Sequence, residues 1–183
     1  MSTQTLKQEV PAGTYAVDPV HSTIHFAVLH NGVSTFRSGF RSYDARLSGG
    51  AEPKLEGRVA VASVDISEEM LKGHLLSPDF FDAERYPQLK FGSTAFEVAD
   101  DGALILRGEL EIRGQVHEVE ASGRFAQLGT DLAGGARVGL SLATSVDRRS
   151  FGLDWQAELP SGGEVLDYRV EIAVELELVK EGE

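Results

Sequence analysis

The chain has 183 residues, no cysteine, and 29 acidic against 17 basic side chains, for a formal net charge of −12. That length fits one domain with a real core, and the missing cysteines exclude disulfides, zinc–thiolate sites and thiol catalysis. Such an acidic surface repels phosphate backbones and anionic lipid surfaces, so no nucleic-acid partner is expected.

The first residues carry no apolar h-region, and no run approaches the ~20 apolar residues that cross a bilayer. A protein of a bacterial-type cytosol, cytoplasmic and without stable membrane insertion, is the expectation. Residues 1–13 read as a flexible N-terminal arm, and residues 14–183 as a single domain.

A succession of strands follows the arm. A short one over 15–18 ends at Pro19. The next, over 23–30, places Ile24, Phe26 and Val28 on one face. The stretch 34–47 changes phase: Phe36 and Phe40 share a face, whereas Tyr43 and Leu47 fall on the other. A phase change beside Gly39 predicts a bulge or sharp bend. Residues 55–66 read as one strand, apolar on both faces near its end.

Strands over 89–98, 103–112 and 116–128 come next, with Arg113-Gly114 as a tight hairpin turn. The last two are the clearest. Residues 137–147 turn Val138, Leu140, Leu142 and Val146 inward. Residues 168–179 turn Tyr168, Val170, Ile172, Val174, Leu176 and Leu178 inward. Strict period-2 alternation means one wet and one dry face.

Helical character is confined to 67–85 and is broken at Pro78. Ser67 reads as an N-cap with Glu68 and Glu69 in the first turn, and Asp79 as the cap of a second short helix. The stretch from Gly73 to Phe91 is unusually apolar for a connection. It either plugs one end of the β-structure or lines the mouth of a cavity there. The meander pattern leaves a sandwich and a closed up-and-down barrel in competition. Long one-sided strands favour the barrel, because closure removes edges. The fold class is all-β: an antiparallel β-barrel with one short helical insertion.

Polar chemistry is sparse. His21 and His25 stand four apart, which on a strand separates them by roughly 13 Å, too far to share one ion. His30, His74 and His117 are isolated in sequence. The acidic pairs lie in turns or on outward strand faces, where nothing marks a general acid/base pair. No GxSxG, HExxH, P-loop or dinucleotide fingerprint is present, so neither a cofactor nor a metal is expected. The remaining constellation is apolar: the stretch from Gly73 to Phe91, and the segment with Arg148, Arg149, Phe151 and Trp155.

Four segments, in order, resemble the YceI-like family of lipid- or polyisoprenoid-binding proteins. They are VDPVHSTIHFAVLHNGVSTFRSGF, VDISEEMLKGHLLSPDFFDAERYPQLKF, GELEIRGQVHEV and RRSFGLDW. The acid that the family often carries just before the histidine of the second segment is absent here. The resemblance implies a lipocalin-like barrel with an apolar interior that takes up a long isoprenoid chain, a polyprenyl lipid or the tail of a quinone. It leaves a homodimer open.

Binding without covalent chemistry is the leading reading. A barrel isomerase or hydrolase acting on an apolar substrate, and a fully packed barrel without a cavity, are its rivals. The candidate lining is Phe26, Val28, Phe36, Phe40 and Val61, with Phe91, Leu106, Leu140, Leu142 and Val170 from later strands. Leu75, Phe80, Phe81, Phe151 and Trp155 are the candidate mouth. His30 and Arg148 are candidates for contacts to a head group.

Overall fold

A computed structural model describes residues 8–182. Ten strands run in chain order: β1 (Val10–Val17), β2 (Thr23–His30), β3 (Ser34–Gly39), β4 (Tyr43–Gly50), β5 (Lys54–Ala60), β6 (Gln88–Val98), β7 (Ala103–Ile112), β8 (Gln115–Leu128), β9 (Arg137–Asp147) and β10 (Leu166–Lys180). One helix, α1 (Glu69–Leu76), lies between β5 and β6. No helix among the described residues is long and apolar enough to cross a membrane.

β1 and β2 lie end to end along one edge of β10, Val17 opposite Leu178 and Thr23 opposite Glu175. β3 and β4 likewise continue one another, β3 paired with β2 and β4 with β1. With each pair taken as one broken strand, the sheet is an eight-stranded antiparallel meander, closed where β10 meets the β1–β2 edge. Closure of this kind leaves an interior that side chains fill or that holds one small ligand.

Both breaks are built by local chemistry. Between β1 and β2, the Ser22 hydroxyl donates to the Glu177 carbonyl at 3.3 Å and accepts from the Glu177 amide at 2.9 Å. One side chain thus replaces the rungs that the chain gives up in the turn. Tyr43 adds a 2.6 Å bond from its hydroxyl to the Ser22 carbonyl. Between β3 and β4, Phe40 is buried and bridges to Val64. This is the bend that the phase change beside Gly39 predicts.

A third irregularity lies between β8 and β9. Their ladder runs from Leu128–Arg137 to Ser122–Ala143 and stops, although β9 stays paired with β10 as far as Asp147. Past that point side chains span the seam. Thr144 donates to the Glu120 carbonyl at 2.7 Å, and His117 Nε2 to the Ser150 carbonyl at 2.8 Å.

Several sequence expectations shift. Residues 1–7 lie outside the described residues, and residues 10–13 of the expected arm belong instead to β1, which starts at Val10, a buried core side chain. Val61 leaves the strand for a 3-10 turn over Val61–Ser63. The cap of α1 is Glu68, whose carboxylate accepts from the Met70 and Leu71 amides, and not Ser67. No second helix forms at Asp79; the segment after Pro78 is a run of turns. The Arg113-Gly114 hairpin stands: both residues have positive φ, +51° and +71°, between the paired Ile112 and Gln115. That is the type I′ geometry that matches strand twist.

Candidate functional site: an apolar cavity under a lid

Two apolar clusters divide the barrel. One fills the end where β1 closes onto β10, with Tyr15, Leu47, Leu104, Phe125, Leu140 and Leu178. The other lies at the opposite end, with Phe40, Val61, Phe80, Phe81, Ile112 and Phe151. Between them is a cavity of about 240 Å³, whose inward-facing lining is apolar except at Thr144 and Arg148.

The lid over the second end is made by α1 and the turns after it. Ser77 ends the helix, its hydroxyl donating to the His74 carbonyl at 2.7 Å. Asp82 then takes φ +50°, a conformation that Asp tolerates better than most residues. The Asp82 carbonyl receives the Arg85 and Tyr86 amides, and its own amide donates to Ser77. This tight reversal sends Phe80 and Phe81 inward, where both are buried. Phe81 meets Phe40 edge-on at 6.1 Å.

His74 joins the lid to the segment after β9. Its ring stands edge-on to Phe80 and to Trp155, both at 5.0 Å, and its Nε2 lies 3.0 Å from Asp79. The acid missing just before the histidine is thus supplied five residues after it.

Arg148 fastens the same segment from below. Arg148 is 4% exposed as a residue, and its guanidinium meets four main-chain carbonyls: Asp167 at 2.9 Å, Leu153 at 2.6 Å, Trp155 at 2.8 Å and Leu166 at 3.0 Å. Of five N–H donors, these bonds leave one. The Tyr168 ring covers the cation at 4.6 Å. Burial pushes the pKa of Arg148 down from the ordinary arginine value. Gly152, at φ +74°, turns the chain after Phe151 and offers its carbonyl to Arg113 at 2.7 Å.

Of the residues singled out in the sequence, Phe26, Val28, Phe40, Phe91, Leu106, Leu142 and Val170 line the cavity, as do Leu75, Phe80, Phe81, Arg148 and Phe151. Five lie off its lining. His30 is exposed at the end of β2, and Phe36 packs its ring on Phe26 at 6.3 Å. Val61 and Leu140 are buried in the clusters at either end, and Trp155 packs on the lid.

Ile172 and Val174 line the cavity beside Val170, and their shared alternation on β10 could have placed them there. Gly57 and Ala121, also on the lining, widen it by having little or no side chain. Such an absence leaves no sequence signal.

A polar knot sits away from the cavity. Asp18, His21 and Glu177 bring three possible ligand atoms within 4.8 Å of one another. The group is already occupied by a cation: Arg137 bonds Asp18 at 2.9 Å, Glu177 at 2.6 Å and Asp131 at 2.5 Å. Hydrogen bonds from His21 and Arg137 hold the Asp18 carboxyl far below the usual carboxylate range, and Asp18 in turn raises the pKa of His21. His21 precedes β2 in the turn, so this knot belongs to the strand break.

Comparison with known proteins places this architecture. The YceI-like domain profile matches residues 15–178. A UPF0312 protein of Shewanella denitrificans is 30% identical over 172 residues, covering 91% of this chain and 90% of that protein. Among solved structures, Burkholderia cenocepacia BcnA superposes with a TM-score of 0.74 at 21% identity, over 88% of this chain and 98% of that one. A polyisoprenoid binding domain from Saccharophagus degradans, implicated in plant cell wall breakdown, gives a TM-score of 0.64 at 12% identity, over 91% and 98%. The closed meander, the lid between β5 and β6, and a profile match spanning most of the chain agree: this protein belongs to the YceI-like domain family.

Proposed function

We propose that the protein binds an isoprenoid lipid inside the barrel, as a free prenyl chain or the tail of a quinone, and sequesters or carries it without covalent chemistry. The observation that supports this most is the cavity itself. At ~24 cal/mol per Å³, an unfilled void of about 240 Å³ corresponds to roughly 6 kcal/mol of lost packing. That rivals the whole stability of a small domain, about 5–15 kcal/mol. An apolar chain removes that cost and is itself shielded from water at ~0.8 kcal/mol per buried CH₂. The likeness to the Saccharophagus degradans polyisoprenoid binding domain supports the isoprenoid class.

The test is organic extraction of the purified protein followed by mass spectrometry, with uptake of an added prenyl quinone as a second arm. Co-purified or acquired lipid at near one per chain is the expected result. Repeated absence of both sinks the proposal. Gly57→Leu supplies the control. A Cβ at Gly57 makes only ordinary contacts, the nearest at 3.6 Å to the Asp44 carbonyl. The Cβ is therefore tolerated, and the rest of the side chain has the cavity to enter; uptake should fall while the lipid-free protein gains about 1–2 kcal/mol of stability.

A further inference from the structure

The seam between β8 and β9 lies in the wall of the cavity. Past Ser122–Ala143 no rung joins the two strands. Val119 and Ala121 on one lip, and Thr144 and Val146 on the other, all line the cavity. Among the described residues two hydrogen bonds cross the gap, from Thr144 to the Glu120 carbonyl and from His117 to the Ser150 carbonyl. Each puts a whole side chain where a ladder has a rung, so the lips stand farther apart than the ~4.8 Å of paired strands.

Outside the seam lies a second, open groove of about 1080 Å³. It shares Ala143 and Thr144 with the cavity, so the two spaces meet at the slit. Its walls are polar there: Glu120 and Ser122 on β8, Ser145 on β9, and Arg169 and Glu171 on β10.

The cavity itself offers a polar head group little. Arg148 spends its guanidinium on four main-chain carbonyls, and the Thr144 hydroxyl donates to Glu120. A polar group buried there without a partner is penalised, so the head of an amphiphile stays outside. Leaving it at the lid would part Phe81 from Phe40 and Phe80 from Trp155. Passage through the seam disturbs two side-chain hydrogen bonds and withdraws no buried ring.

We infer that the outer groove is the head-group subsite: the apolar chain runs inward through the seam, and its polar end rests among Glu120, Ser122 and Ser145. The carboxylates of Glu120 and Glu171 beside the slit favour an uncharged head that hydrogen-bonds, a quinone ring or a hydroxyl, over a phosphate. The inference rests on the lipid-binding proposal and adds where the polar end lies.

The experiment uses the quinone ring as a contact quencher. The chain has no cysteine, so Ser145→Cys in the full-length protein takes a single small fluorophore on the outer lip of the seam. Met70→Cys, at a position 83% exposed on α1, places the same label on the lid. Each is titrated with a farnesyl-substituted benzoquinone. The same quinone without its tail gives the collisional background, and native mass spectrometry counts bound ligand.

The label at Ser145 should lose most of its emission, while that at Met70 should lose no more than the background. Where the label at Ser145 blocks uptake, Ser122→Cys on the facing lip replaces it. Bound quinone that quenches the seam no more than the lid overturns the subsite and leaves lipid binding intact. Absence of bound quinone from the labelled and the wild-type protein overturns both.

Discussion

Asp18 shows how much of this molecule's polar chemistry serves its backbone. It begins the D-P-x-H-S motif at the strand break, and the motif works as one piece. Ser22 substitutes for missing rungs, while Asp18 receives Val20, His21 and Arg137 at once. Its depressed carboxyl pKa contributes stability above the unfolded value near pH 4, and that contribution is lost as pH falls toward the lower folded value. The raised pKa of His21 acts in the opposite direction. Its contribution is present below about pH 6.5 and is lost as pH rises through the folded value. The stability difference between wild type and Asp18→Asn should therefore be largest near about pH 5–6 and shrink on both sides. Urea denaturation from pH 3 to pH 9 measures it, and a flat difference across that range removes the knot's electrostatic role.

At the scale of elements, the lid and the segment after β9 depend on each other, and Arg148 joins them to the barrel. Arg148→Leu strands four carbonyls that water cannot easily reach, at a cost of about 3 kcal/mol or more. Arg148→Lys should recover only part, because an ammonium lacks the fork that reaches both chain segments at once. Denaturation gives the loss, and a red shift of Trp155 emission shows whether the aromatic contact with His74 and Phe80 opens with it.

The strands that line the cavity were legible in sequence, because alternation from Val170 to Leu178 leaves no other inward face. The greasy stretch from Gly73 to Phe91 was also legible as an end closure. Pairs that form through space were not. The His74–Asp79 contact needs the reversal at Asp82, the carbonyl cluster on Arg148 needs two chain segments folded together, and Trp155 lies outside the cavity because the lid comes between. The cap at Glu68 instead of Ser67 is a smaller case: Glu is longer, and its two oxygens reach both free amides.

On the scale of the whole molecule, the seam between β8 and β9 sets where the barrel holds. Residues 122–124 pair with both β7 and β9, whereas residues 115–121 pair with β7 alone and residues 144–147 with β10 alone. Hydrogen exchange should mark this boundary, with slow exchange over 122–124 and faster exchange over 115–121. Uniform protection along β8 would contradict the seam. A closed hoop of hydrogen-bonded strands has a fixed girth, since each spacing of about 4.8 Å is held by its rungs. The seam is a slit in that hoop, on the lid side only. The upper barrel can therefore change its girth without breaking a backbone rung, while the lower barrel keeps a constant girth around its packed apolar end.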